Sequence, residues 1–297
     1  MLELFIYNTF SGKGISDKKL NNIINYLKLS YPKIVLCKTK QKGDAKAFTL
    51  QYIKDTHLIF VLGGDGTIHD IVSAITETNK SPTICVIPNG TMNDLAHTLH
   101  IPNNYKKAID LTKIKKPKEC SILKVNNHYA IYACAIGRFS STSYNTPQSS
   151  KKFCGKLSYF CYALKELKTY PPIPAKITIG NTIITTKFSL ILMCLGAYVA
   201  GFPINRPPND IVAKMVIITD KTNSQKGSFA SVISIGKLFM FGIAKSDKDK
   251  LTTTIDFTKA TIELTKPYPM VLDGEKYMSD RYEITLLPKR IKFVCNN

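Results

Sequence analysis

The chain has no tryptophan, and only four of its 41 basic residues are arginine (Arg138, Arg206, Arg281 and Arg290). Arginine's planar fork is the usual reader of base edges and nucleic-acid phosphates, so a charge carried by lysine argues against sequence-specific nucleic-acid binding. Acids are scarce too: 21 Asp and Glu against 41 Lys and Arg leave a formal net charge of +20. None of the eight cysteines pairs as C-x-x-C, which argues against a zinc cluster or a redox pair. A chain of 297 residues needs no disulfide staples, so buried thiols in a reducing compartment are expected. Long apolar runs are missing. The longest uncharged stretch, Phe188–Asn205, is broken by Gly196, Gly201 and Pro203 and falls short of the ~20 apolar residues that cross a bilayer. Met1 leads straight into the strand-like LELFIY, so no signal peptide is expected. Neither a G-x-x-x-x-G-K-[ST] loop nor a G-x-G-x-x-G fingerprint occurs.

What remains is globular: 44% hydrophobic and 21% charged residues. At about 150 residues per domain, the length suggests two domains. The first half alternates strand and helix. Strands are expected at Leu2–Tyr7, Ile34–Lys38, Leu58–Leu62 and Ile84–Ile87, and helices at Asp17–Leu29, Gly43–Thr56, Ile68–Glu77 and Met92–His100. Repeated βα units of this kind predict a doubly wound sheet. After about Cys120 the segments become β-branched and alternating: Ser121–Val125, His128–Ile136, Lys176–Ile179, Thr182–Thr186, Phe188–Leu195, Met215–Thr219, Thr252–Phe257, Ala260–Leu264, Glu283–Leu287 and Ile291–Val294. They predict a mostly antiparallel second domain, interrupted by helices at Lys156–Leu167 and Ser228–Phe241.

The strongest local signal is Gly63-Gly64-Asp65-Gly66-Thr67, between an apolar strand and a helix that continues through Ile68, His69 and Asp70. Glycines let a backbone approach a phosphate, and the helix N-terminus offers it free N–H groups. Asp65 sits where a carboxylate can meet a Mg²⁺ riding on the phosphates. A second loop, Pro88-Asn89-Gly90-Thr91-Met92-Asn93-Asp94, follows the next buried strand, and a third, Asn8-Thr9-Phe10-Ser11-Gly12, follows the first. All would lie on the carboxyl edge of one sheet, where ligands bind in such folds. Asp273-Gly274-Glu275, by contrast, reads on its own as a hairpin turn.

Taken in order, these motifs resemble the diacylglycerol-kinase-type lipid kinases, the bacterial soluble diacylglycerol kinases and their YegS-like relatives. Thr39 with Gly43-Asp44-Ala45, Gly137-Arg138-Phe139, Gly155-Lys156-Leu157-Ser158-Tyr159, Gly201-Phe202 and the closing Asp273-Gly274-Glu275 extend the resemblance over nearly the whole chain. It implies an α/β nucleotide-binding catalytic domain (1–125) and a β-sandwich lipid-binding domain (126–297), whose last strand can pack back on the first. ATP and Mg²⁺ are the implied cofactors. The nucleotide contacts carry over to Asn8, Thr9, Phe10, Ser11, Gly12, Thr39, Gly63, Gly64, Asp65, Gly66, Thr67, Ile68, His69, Asp70, Gly90, Thr91, Asn93 and Asp94. Glu275, with Asp273 close behind, carries over as the acid that takes the proton from the lipid hydroxyl.

The sequence departs from the family in three places. The family's Asn-Pro is Asn8-Thr9, and its Asn-Glu is His69-Asp70, where the histidine is also compatible with a helix-surface position. A second metal site, expected at Asp210 and the Val212 carbonyl, has Ile211 for the usual glycine and Lys214 where an acid is common; Lys214 is an alternative partner for Asp210. The expected activity is phosphorylation of a lipid hydroxyl, with diacylglycerol as the first candidate. The expected setting is the cytoplasm, with peripheral contact at an anionic inner membrane face, no nucleic acid, and a homodimer as one possible assembly. An NAD kinase and a non-catalytic nucleotide-binding relative are the alternatives. The lysine excess also fits an A+T-rich genome.

Overall fold

The computed structural model describes residues 2–12, 14–137, 171–204, 211–220 and 228–296. The chain divides into two compact units, Met1–Ile122 with Leu287–Asn297, and Leu123–Leu286. The first is α/β and the second antiparallel and β-rich, the fold class its patterning predicts.

In the first unit, strand and helix alternate as β1 (Leu2–Tyr7), α1 (Asp17–Ser30), β2 (Val35–Lys38), α2 (Asp44–Tyr52), β3 (Thr56–Gly63), α3 (Asp65–Thr76), β4 (Thr83–Pro88), α4 (Asp94–Thr98) and α5 (Tyr105–Ile114). The strands run parallel in the order β4–β3–β1–β2. The end of the last strand, β15 (Glu275–Phe293), adds to β4 through Lys292 and Phe293. β3 is apolar from Leu58 to Leu62 because a parallel strand is covered on both faces; Ile59, Phe60 and Val61 are fully buried. In α1, Ser16 accepts from the Lys19 N–H at the N-terminus, and Leu20, Ile23 and Leu27 turn one face into the core. Helix α5 lies outside the predicted helices. Its signal was present, since Asn104 caps Lys107 and the buried residues are Ala108, Ile109 and Leu111, but the segment is short and rich in lysine.

The second unit contains β6 (His128–Ala130), β7 (Ala133–Gly137), β8 (Ile173–Ile179), β9 (Thr182–Cys194), β10 (Tyr198–Val199), β11 (Phe202–Pro203), β12 (Ala213–Thr219), α6 (Phe229–Phe241), α7 (Ile243–Ser246), β13 (Thr252–Phe257) and β14 (Lys259–Leu272). β5 (Lys118–Val125) and β15 each begin in one unit and end in the other. The antiparallel order is β13–β12–β9–β7–β14–β15, and β8 pairs with both β9 and β14.

Two predicted strands, Thr182–Thr186 and Phe188–Leu195, are one strand, β9. Its first part alternates against β8, and its second is buried between β7 and β12. The change of pattern is a change of partners along one strand. The reverse holds at His128–Ile136, which breaks at Ile131 and Tyr132 into β6 and β7. The predicted helix Lys156–Leu167 lies outside the described residues.

Helix α3, which carries the glycine-loop residues at its start, is held at its far end by Arg290. The guanidinium donates to the carbonyls of Ile75 (3.4 Å), Thr76 (3.0 Å) and Thr78, capping the helix with a cation. Arg290→Met keeps the apolar stem and removes these bonds. It is expected to lower unfolding free energy by about 1.5–3 kcal/mol, measured by urea denaturation.

Candidate active site

Four loops leave the carboxyl ends of the four parallel strands, and every predicted nucleotide contact lies on or just beyond them. After β1, Asn8 folds its side chain back to accept from the Phe10 N–H (2.9 Å), and Ser11 Oγ donates to the Asn8 carbonyl (3.2 Å). After β2, buried Thr39 donates to the Tyr7 carbonyl through both its N–H and its hydroxyl. The following turn is held by Asp44, which accepts from the N–H groups of Lys40 (2.7 Å) and Gln41 (3.1 Å); those bonds hold its carboxyl below the ordinary range. Beneath this loop burial pushes the Cys37 thiol up to about 11, so it stays protonated at neutral pH.

The loops after β3 and β4 meet backbone to backbone. A Cβ on Gly90 would stand 2.6 Å from the Gly64 Cα and 2.6 Å from Asn93 Oδ1. Asn89 donates its N–H to the Gly63 carbonyl (3.0 Å) and its side-chain amide to the carbonyl and hydroxyl of Ser11 (both 3.3 Å). Gly12, at φ +62, lies so close that a Cβ would meet the Asn89 carbonyl oxygen at 2.4 Å. Asn93 sits at φ 53 and clasps Gly90 through both its amide atoms, at 2.8 and 3.0 Å. Asp65 reaches across to accept from the N–H groups of Asp94 and Leu95, both at 3.4 Å. Asp70 accepts from the Gly43 N–H (3.3 Å), joining the loop after β2 to α3.

Thus Asn8–Gly12, Thr39, Gly63–Asp70, Gly90, Thr91, Asn93 and Asp94 are brought to one edge. His69 is buried, 5% exposed, so the helix-surface alternative for it is set aside. Phe10, in contrast, is 78% exposed. Asn89, which is not among the predicted contacts, ties all three glycine loops. Its signal was its place between Pro88 and Gly90, which a motif treats as variable.

The second unit holds the two candidate acids. Asp273 and Gly274 form a two-residue turn between β14 and β15, with φ of 48 and 97, and Leu272 pairs with Glu275 across it. Asp-Gly suits such a turn because both positions need positive φ. The Asp273 carboxylate is buried and accepts from three backbone N–H groups: Ile131 (2.5 Å), Tyr132 (3.1 Å) and Ala133 (3.1 Å). These bonds explain why the predicted strand His128–Ile136 breaks at Ile131. Burial and the Asp273 charge together push the neighbouring Cys134 thiol well up. Glu275 is half-buried at the first position of β15.

Of the second metal site, Asp210 lies outside the described residues and Val212 stands just before β12. Lys214 is paired across strands with Asp256 (2.7 Å). Among the described residues no group of three or more His, Cys, Asp or Glu side chains could hold a metal by itself.

Two substitutions test this geometry. Gly90→Ala is expected to force the β3 and β4 loops apart and weaken nucleotide affinity at least about ten-fold, a loss of about 1.4 kcal/mol, read by calorimetric titration. Asp273→Ala leaves three N–H groups without their acceptor and is expected to cost roughly 3 kcal/mol or more, read as a lowered denaturation midpoint.

Comparison with known proteins agrees with this arrangement. Residues 3–125 match the family model of the diacylglycerol kinase catalytic domain. A diacylglycerol kinase of Staphylococcus haemolyticus is 27% identical over 294 residues, spanning 96% of this chain and 88% of the relative. One of Staphylococcus carnosus is 28% identical over 274 residues, spanning 91% and 87%. A crystal structure from Bacillus anthracis strain Sterne superposes with a TM-score of 0.82 at 24% identity, covering 99% of this chain and 95% of the other. Another, a diacylglycerol kinase from the same strain, gives 0.78 at 21% identity, covering 99% and 97%; these two likenesses speak for the fold. Residues 3–125 thus match a diacylglycerol kinase catalytic domain, and similarity to bacterial diacylglycerol kinases runs over nearly the whole chain.

Proposed function

We propose that the protein transfers the γ-phosphoryl group of ATP to the free hydroxyl of diacylglycerol, giving phosphatidic acid. The observation that carries this reading is the close approach of Gly64 and Gly90, which leaves bare backbone at the carboxyl edge of the sheet. There the N-terminus of α3 offers N–H groups and the positive end of its dipole to phosphate oxygens. The names of the relatives favour a lipid acceptor over NAD.

Phosphoryl transfer needs little covalent help from the protein. It needs the phosphates held, their charge offset and the attacking hydroxyl deprotonated. The loops after β1, β2, β3 and β4 hold the nucleotide. The Asp65 carboxylate, which lies at the Asp94 and Leu95 N–H groups, suits a hard cation, and the nucleotide's phosphates would supply further oxygens. Mg²⁺ held there, with Asp65 as its protein carboxylate, would spread the phosphate charge. Glu275 accepts the proton of the lipid hydroxyl, and Asp273 sets the turn from which Glu275 extends.

We place the reaction at the cytoplasmic face of a membrane carrying anionic lipid. The net charge of +20 and the free thiols of the six described cysteines support that setting. No helix among the described residues is long and apolar enough to cross a membrane.

Incubating the protein with labelled ATP, Mg²⁺ and mixed diacylglycerol micelles is expected to yield labelled phosphatidic acid. Glu275→Gln is expected to lower kcat by about 10²-fold or more while nucleotide affinity and melting temperature hold. Labelling of NAD in place of lipid would overturn the reading.

A further inference from the structure

We infer that the outward face of α6 docks on a bilayer carrying anionic lipid; the inference rests on the lipid-kinase reading and names the surface by which the protein meets its substrate's membrane.

Helix α6, with sequence FASVISIGKLFMF, has a single charged residue, Lys237. Its inward side packs normally, with Val232, Ile235, Leu238 and Phe239 buried. Its small polar residues also turn inward. Ser231 is fully buried and bonds to Asp220 Oδ2 (3.0 Å) and Ser189 Oγ (3.0 Å). Ser234, 2% exposed, bonds to Asp249 Oδ1 (3.0 Å). The large apolar residues are left outside: Phe229 at 67% exposure, Ile233 at 45%, Met240 at 67% and Phe241 at 45%. Their spacing of i, i+4, i+11 and i+12 puts them on one stripe. A surface helix ordinarily has one apolar stripe, toward the core, and turns polar residues outward; α6 has the inward stripe and a second one outside. The outward stripe of α6 therefore calls for an apolar partner.

The charges around it select the partner. Lys237 is on the same face, and Lys245, on α7, holds its ammonium 5.3 Å from the centre of the Phe241 ring. Lys248 and Lys250 follow, both exposed. The acids of this stretch are Asp247, which is exposed, and Asp249, which faces inward on Ser234, the Leu251 N–H and Lys237. Phenylalanine and methionine bordered by lysine suit the boundary between acyl chains and anionic headgroups. A second copy of a chain with charge +20 would be repelled from such a rim. Thirteen residues make a helix of roughly 20 Å, too short to span a bilayer but suited to lying in its surface.

The test uses the full chain and flotation with vesicles of phosphatidylglycerol and phosphatidylcholine, or of phosphatidylcholine alone. The wild type is expected to float with the anionic vesicles and far less with the neutral ones. Ile233→Gln with Met240→Gln, and separately Lys245→Glu with Lys248→Glu, are each expected to reduce flotation by at least about ten-fold. Turnover of a short-chain diacylglycerol dissolved as monomer is expected to stay near wild type in both. The lysine positions are exposed, so that pair remains informative if the glutamine pair lowers the melting temperature. Flotation unchanged in the lysine pair would overturn the inference. So would a wild-type dimer, seen by light scattering, that the glutamine pair dissolves. Vesicle binding lost in the variants, with no lipid phosphorylated by the wild type, would sink the kinase reading and leave the docking face standing. Lipid phosphorylated by all, with flotation unchanged, would do the reverse.

Discussion

Two α-carbons without side chains, Gly64 and Gly90, set the distance between the loops after β3 and β4, and the shape of the sheet's carboxyl edge depends on that distance. Adjacent parallel strands bring their carboxyl ends close together, but the loops that follow normally splay to make room for side chains. Here the Gly63–Pro88 pairing runs on into the Asn89-to-Gly63 hydrogen bond, so the two chains stay together one residue longer. Asn89 then draws in the loop of Ser11, and Asn93 closes the turn around Gly90. The outcome is bare backbone beside the N-terminus of α3, whose first N–H groups suit a chain of phosphates.

The second unit solves a different problem, how to hold an acid at a chosen place. Of two carboxylates separated by one glycine, Asp273 is turned inward and bonded to three N–H groups of the break between β6 and β7. That break is therefore part of the framework of the turn that carries Glu275. Its Tyr132 carbonyl accepts from Leu195 and Gly196, so the segment is fixed from both sides. Glu275 follows on a turn whose geometry its neighbour has set. The division of labour follows from the hydrogen bonds: one acid's oxygens are occupied by backbone donors, and the other begins a strand.

Helix α6 shows how local polarity bears on membrane contact. Its serines satisfy Asp220 and Asp249 on the inside, and beyond its buried stripe Phe229, Ile233, Met240 and Phe241 face out. A sequence count sees an apolar helix and reads it as core, because the hydrophobicity of a segment does not say which side is covered.

Much of this was readable from residues alone. The apolar run Leu58–Leu62 followed by Gly-Gly-Asp-Gly-Thr announced a parallel strand, a phosphate-type turn and a helix, since each is dictated by neighbours in the chain. The switch from 3.6-residue to two-residue periodicity near Cys120 announced a second, antiparallel unit. Other features needed the fold. Whether Thr182–Cys194 is one strand or two depends on which strands lie beside each end. Whether Asp273 is a turn residue or the anchor of residues 131–133 depends on a partner about 140 positions away. The importance of Asn89 exists only where three loops converge. Sequence thus determined the elements and turns, whose energies are local. Tertiary structure decided which polar groups face one another, because a hydrogen bond acts over about 3 Å in space whatever the separation along the chain.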